Sequence, residues 1–136
     1  NQPVIPLEIG NLNAIRDWGH SEDFCRSAIL MLEQKVPDDY VVSTNHTCSV
    51  RGWIEKCFRY MGLKITWQGS GTEELGFCNG NIVVKVNPKY FRPSEVSYLK
   101  GDSSKIRSKL GWEPIYNIDT LVAEMMENDI KNGITG

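Results

Sequence analysis

Two arginines stand where an anion could be gripped. Arg16 lies in Gly10–Phe24, GNLNAIRDWGHSEDF, and Arg92 lies in Tyr90–Val96, YFRPSEV. A guanidinium presents a planar fork that donates two parallel hydrogen bonds to a phosphate or carboxylate. Arg92 is followed by Pro93, which biases it towards an extended backbone, so it has fewer conformations to lose on binding. Glu95, two residues past the proline, offers an acceptor for the hydroxyls of a ribose or a sugar. Each arginine also has a plainer reading: Arg16 and Asp17 as an idle surface pair, Arg92 and Glu95 as a local ion pair in a structural loop. Arg51, which begins a helix in SVRGW, reads most simply as a solvated helix arginine.

Other chemistry is thinner. His46 and Cys48 are two apart, but no second pair stands at a metal-ligand spacing. Cys25, Cys48, Cys57 and Cys78 form no C-x-x-C pair, and Cys25 and Cys57 fall on apolar helix faces, where cysteine acts as a small hydrophobe. Gly69-Ser70-Gly71 followed by Gly76 has the wrong spacing for a dinucleotide-binding turn. Tyr60 and Lys64 are four apart, as a catalytic tyrosine–lysine pair would be, but Gly62 between them ends the helix.

The elements that must position these residues alternate in type. A short apolar run, Val4 to Ile9, leads as a strand into the Arg16 turn, and a helix follows over Ser21–Lys35 with Phe24, Cys25, Ala28, Ile29, Met31 and Leu32 as its inner stripe. Pro37 ends it. Asp38–Thr44 reads as a short strand buried on both faces, because Tyr40, Val41 and Val42 are apolar in succession. Ser49–Met61 is the clearest helix: Val50, Trp53, Ile54, Cys57, Phe58 and Met61 share one face. Leu63–Gln68 alternates as a strand, Gly69–Gly80 reads as a loop, and Ile82–Val86 as a β-branched strand broken by Pro88. A short helix over Ser103–Leu110 closes at Gly111. A last helix over Ile118–Ile130 turns Ile118, Leu121, Val122, Met125, Met126 and Ile130 inwards. The order is that of an α/β or α+β chain.

Composition sets the outer bounds. The 136 residues are 40% hydrophobic and 24% charged, with a net charge of −2. Neither nucleic acid nor a membrane surface is therefore an expected partner. Unpaired thiols and the lack of an export signal point to the cytoplasm.

The motifs carry a resemblance. GNLNAIRDWGHSEDF, DDYVVST at Asp38–Thr44, SVRGWIEK at Ser49–Lys56, NPKYFRPSEV at Asn87–Val96 and GDSSKIRSKLGWEP at Gly101–Pro114 resemble, in this order, the C-terminal part of GDP-mannose 4,6-dehydratases of the extended short-chain dehydrogenase/reductase superfamily. The resemblance implies an α/β fold. It would be the small C-terminal substrate-binding domain of an extended Rossmann-type enzyme, residues 1–136 forming a single partial domain with a strand or two of the large-domain sheet and without the N-terminal Rossmann core. It implies diphosphate contacts for Arg16 and Arg92, ribose contact for Glu95, and nucleotide contacts for Gly10 and Asn11. GDP-mannose or GDP would be the ligand. The parent lyase would convert GDP-mannose to GDP-4-keto-6-deoxymannose with NADP, on the way to GDP-fucose and other deoxyhexoses. Its catalytic and cofactor residues would lie before Asn1, a start without methionine that suits a piece of a longer enzyme, so this chain alone is expected to be inactive. Asp38–Thr44, deprived of its sheet, is expected to leave an open edge that promotes self-association. Two other readings stand beside this one: an inactive stand-alone nucleotide-sugar module, and a related epimerase or dehydratase acting on another nucleotide sugar. One departure bears on the choice: Gly69–Asn81 is shorter than the family pattern, which touches base specificity.

Overall fold

In the computed structural model, which describes residues 4–92 and 94–133, the chain divides into two compact units, each assembled from two separate stretches. The first takes residues up to 14 and 49–97, and the second takes 15–48 and those from 98 onward.

The first unit is a four-stranded sheet with one helix. Its strands are β1 (Leu7–Ile9), β4 (Thr66–Gln68), β5 (Leu75–Cys78) and β6 (Asn81–Val86), in spatial order β1-β6-β5-β4. β1 runs parallel to β6, with Leu7 opposite Val84 and Ile9 opposite Val86, while β6–β5 and β5–β4 are antiparallel. The helix α2 (Val50–Tyr60) is capped by the Ser49 hydroxyl, which accepts from the Gly52 N–H at 3.0 Å. Its next orphan donors are satisfied by the chain that leads into it: Val50 N–H donates to the Ala14 carbonyl and Arg51 N–H to that of Leu12. Ile54 of α2 joins Leu12, Ile65, Val84 and Val86 in the core, with Val50 and Phe58 against it, so the expected inner face is observed in part, while Met61, expected on it, is exposed. At the other end Gly62 takes φ 69°, and the Leu63 N–H returns to the Phe58 carbonyl. This is a Schellman-type stop.

One expectation fails here. Gly69–Gly80 is not a loop: it holds a short 3-10 turn at Gly71–Glu73 and then β5. The buried positions of that stretch are Glu74, Gly76 and Cys78, so its inward face carries no large apolar residue to betray a strand. Asn79 and Gly80, both at positive φ, form the two-residue hairpin turn to β6. Gly76 leaves room for its neighbours: a Cβ there would lie 2.8 Å from the Trp67 ring and 2.9 Å from the Ile65 side chain, so both would have to shift.

The second unit is mostly helical. It holds α1 (Ser21–Leu32), α3 (Ser104–Leu110) and α4 (Ile118–Asn132) with a small sheet of β2 (Ile15–Asp17) and β3 (Thr47–Ser49), whose last residue passes into the first unit. Ile106, Trp112, Leu121 and Val122 are its buried apolar residues. α1 turns the opposite way from its apolar stripe: Asp23 and Ser27 are buried, while Phe24, Ile29 and Leu32 are exposed, Leu32 to 85%. The cause is a polar anchor. Asp23, 0% exposed, accepts from the backbone N–H of Ile115 at 2.9 Å and of Tyr116 at 3.0 Å, and from Arg26 at 2.8 Å. Trp112 seals it by donating its indole N–H to the Asp23 carbonyl. Burial opposes ionisation of Asp23, yet these donors outweigh it and hold the carboxyl below its ordinary range.

Three more corrections belong to this unit. Asp38–Thr44 is not a strand, and Val41 is 54% exposed; the stretch is tied instead by side chains, Asp38 to Lys105 and Lys109, and the Asp39 carbonyl to Lys105. Without that strand, the open edge on which the expected self-association depends is not there. In α4, Met125 and Ile130 are exposed rather than turned inwards; the helix packs through Leu121 and Val122 near its N-terminus. Cys25 is exposed, because the face it occupies on α1 is the one turned outwards.

Candidate functional site

Four of the five expected ligand residues, Gly10, Asn11, Arg92 and Glu95, fall in the first unit. β1 ends at Ile9, whose carbonyl accepts from the Asn87 N–H at 2.8 Å, at the point where β6 gives way to the helical turn Pro88–Tyr90. The Asn87 side chain caps that turn through the Lys89 N–H at 2.9 Å. Gly10 follows β1 and lies directly against the turn: a Cβ on it would sit 2.2 Å from the Tyr90 carbonyl oxygen. Only glycine lets the two backbones approach so closely. This packing fixes where the chain leaves Tyr90, two residues before Arg92. Arg92 is exposed; Glu95 is half-buried and donates its backbone N–H to the Arg92 carbonyl at 3.1 Å. Asn11 folds on itself, its side-chain oxygen accepting from the Asn13 N–H at 2.9 Å. Pro93 lies outside the described residues, so its expected bias on Arg92 has no structural counterpart here.

Charge at this end of the sheet is partly spent. Lys85 pairs with Glu8 at 2.7 Å, and Asn87 donates to the same carboxylate; the Lys85 and Asn87 bonds hold Glu8 below the usual carboxylate range. Arg51 is neither solvated nor part of an anion grip. It makes a bidentate pair with Glu74, donates to Asn13 Oδ1 at 3.0 Å and lies over the Trp67 ring at 4.8 Å, while Trp67 donates to Glu55. It serves to bind α2 to the start of β5.

Arg16, the fifth expected residue, is in the second unit, on β2. It is half-buried and donates to the Ile15 carbonyl at 2.8 Å. The residues after it are pinned one by one. Asp17 accepts from Thr44 and Asn45, Trp18 donates its indole N–H to the Cys48 carbonyl at 2.9 Å, and His20 caps α1 by accepting from the Glu22 N–H at its Nδ1. The His20 ring also stacks on Tyr116 with centroids 3.9 Å apart. Asp17, read from the sequence only as the partner of Arg16, turns instead to Thr44 and Asn45, while His20 and Asp23 are residues that sequence reasoning misses. Of these two only His20 leaves a signal, as a polar residue at the helix start.

The other candidate chemistry does not assemble. Among the described residues, no group of three or more His, Cys, Asp or Glu is arranged to hold a metal. Tyr60 closes α2 and Lys64 lies beyond Gly62, so they do not share a helix face. A pyridine dinucleotide does not fit these residues either. β1 runs through a turn into β2 rather than into a helix, and Gly69-Ser70-Gly71 opens only the three-residue turn Gly71–Glu73. None of Cys25, Cys48, Cys57 and Cys78 is in a disulfide among the described residues, and no described helix is long and apolar enough to cross a membrane.

Solved structures place this architecture. A UDP-glucose 4-epimerase from Bifidobacterium longum in complex with NAD+ and UDP matches 93% of this chain with 35% of its own, at a TM-score of 0.69 and 19% identity. RMD from Pseudomonas aeruginosa complexed with NADPH gives 0.71 at 15% identity, over 93% of this chain and 36% of that one. The chain therefore shares its fold with part of these two proteins, mixed α/β as the motif order implies. The sequence narrows the class further: the model of the GDP-mannose 4,6 dehydratase family matches residues 2–125, and the chain belongs to that family. Curated relatives agree. The GDP-mannose 4,6 dehydratase of Drosophila melanogaster is 45% identical over 127 residues, 92% of this chain and 32% of that protein. The Homo sapiens enzyme is 42% identical over 92% of this chain and 34% of its own length. That of Vibrio cholerae is 39% identical over 92% and 37%. The chain thus spans about a third of the length of the curated relatives it matches.

Proposed function

We propose that this chain is the substrate-gripping portion of a GDP-mannose 4,6-dehydratase, acting as one functional part. In this reading Arg92 holds the diphosphate of a GDP-sugar, Glu95 takes the ribose hydroxyls, Gly10 and Asn11 contact the nucleotide, and Arg16 makes a further phosphate contact. The observation that carries it is the close seat of the Pro88–Tyr90 turn on Gly10, two residues before Arg92, in a sequence of this family. An exposed arginine and a half-buried glutamate three residues apart suit a ligand that carries both a diphosphate and ribose hydroxyls. The whole enzyme is the NADP-dependent lyase that turns GDP-mannose into GDP-4-keto-6-deoxymannose, and it works in the cytoplasm, which suits cysteines that form no disulfide. NADP and the proton-transfer groups belong to the two-thirds of the relatives that this chain does not span, a Rossmann portion that is its natural partner. On its own the chain binds and does not turn over.

Calorimetric titration with GDP and GDP-mannose tests the reading. The chain is expected to bind both, and Arg92→Ala to weaken each at least about tenfold, the loss of one charge-assisted grip. Absence of binding by the wild type, or an Arg92→Ala variant that binds as tightly, would overturn it.

A further inference from the structure

We propose that Asp17 is a positioning residue for Arg16, its carboxylate clamped by the Thr44–Asn45 turn so that β2 presents the guanidinium in one orientation. The inference rests on the phosphate contact given to Arg16 above.

Both oxygens of Asp17 are used. Oδ1 accepts from the Thr44 N–H at 2.8 Å and from the Thr44 hydroxyl at 2.6 Å; Oδ2 accepts from the Asn45 N–H at 2.9 Å. Successive backbone N–H groups converging on one carboxylate make an anion cradle. Asn45 takes φ 66° within it. The cradle is itself fixed. Ser43 and Thr44 are buried, the Ser43 hydroxyl donates to Asn45 Oδ1 at 3.2 Å, and Arg107 donates to the Thr44 carbonyl at 3.2 Å. Gly101 presses on it closely enough that a Cβ there would lie 2.6 Å from Ser43 Cβ.

β2 does not need this clamp to stay in place. It is paired with β3, and Ile15 bridges Tyr98 and accepts from the Leu99 N–H at 3.0 Å. Those contacts hold the strand by its backbone edges. The three short hydrogen bonds to the Asp17 side chain add an anchor on one face, close to the point where Arg16 leaves the strand. Neighbouring residues on a strand point to opposite faces, so fixing Asp17 on one face fixes the direction in which Arg16 leaves the other.

A double-mutant cycle separates positioning from plain stabilisation. GDP affinity is measured for the wild type, Asp17→Asn, Arg16→Ala and the double variant, with melting followed in each. Asp17→Asn is expected to weaken GDP by at least about threefold, and to add nothing once Arg16 is already alanine. Additive losses would overturn the proposal. Thr44→Val, which removes a single bond, gives the same test in milder form should Asp17→Asn fold poorly. A second readout needs no nucleotide: the rate at which phenylglyoxal modifies Arg16, mapped by peptide mass against the exposed Arg59. Asp17→Asn is expected to change the Arg16 rate while that of Arg59 stays constant, and an unchanged ratio would overturn the proposal. A wild type that fails to bind GDP would refute the phosphate contact, while the phenylglyoxal ratio would still judge whether Asp17 orients Arg16.

Discussion

Asp23→Asn replaces a buried carboxylate by a group of the same shape that has one acceptor oxygen instead of two. In the wild type Oδ1 takes the Ile115 N–H and Arg26, and Oδ2 takes the Tyr116 N–H. Whichever way the amide turns, its NH2 meets one of these donors head on. One charge-assisted bond to the backbone is lost, worth about 1.5–3 kcal/mol. Arg26 loses its counter-ion as well, and its Nε is already buried without a partner. Removing one side of a buried pair costs about 3–5 kcal/mol, and because Arg26 is partly exposed the lower end applies. A loss of about 3 kcal/mol lowers the melting temperature of a chain this size by roughly 10 °C. Urea unfolding followed by far-UV circular dichroism and tryptophan fluorescence at pH 7 reads it directly. The same variant carries a pH signature. The folded-state pKa of Asp23 lies below its unfolded value, so the unfolded chain binds more protons in the window between them. The stability Asp23 contributes is therefore present above about pH 4 and lost as pH falls through the lower, folded value. The gap between wild type and Asp23→Asn is expected to narrow as pH drops from about 5 to about 2. A destabilisation under about 1 kcal/mol at pH 7, or a gap that stays constant into acid, would refute the account of α1 as anchored by this carboxylate.

Two further outcomes follow from the geometry. Gly80 stands at φ 80° in the β5–β6 turn. Gly80→Ala places a Cβ in that left-handed conformation and is expected to cost about 1–2 kcal/mol in urea unfolding, with an unchanged midpoint arguing against the hairpin. Asp38, hydrogen-bonded first by Lys105 and then by Lys109, is held at about 2, so its NMR titration should be displaced below that of an ordinary aspartate. Its contribution to stability, present above about pH 4, should fade as pH falls towards that value, and Lys105→Met should return the midpoint most of the way to normal.

How much of this is legible depends on the distance over which each feature is decided. α2 is readable because its cap, its apolar spacing and its glycine stop all lie within Ser49–Gly62. α1 is readable in its start at Ser21, though it ends at Leu32 rather than Lys35, and it is not readable in orientation. Its apolar residues mark one face, yet Asp23 and Ser27 win the interior because the N–H groups that satisfy Asp23 come from Ile115 and Tyr116. Asp38–Thr44 resembles a buried strand in its three apolar residues in a row, but burial of a strand needs neighbours, and none pairs with it. β5 hides because Glu74, Gly76 and Cys78 fill its inner face; the Asn79-Gly80 pair is the hairpin signal that reveals it. At the candidate site, the chemistry of Arg16 and Arg92 is visible in residue type alone. The packing of Gly10 on Tyr90 and the cradle around Asp17 are not, since both depend on contacts made only after folding.

The interleaving of the two units also governs when each can come into existence during synthesis. β1 is made early, yet its partner β6 is finished only at Val86, and the buried carboxylate of Asp23 waits 92 residues for the Ile115 N–H. At elongation rates of about 5–20 residues per second that wait lasts several seconds, during which the polar anchor of α1 is unsatisfied. Nascent chains stalled before Ile115 should therefore stay protease-sensitive around α1, whereas those stalled well past α4 should not. The first helix of this chain to be made is thus among the last to be secured, because its anchor is completed by residues more than ninety positions later.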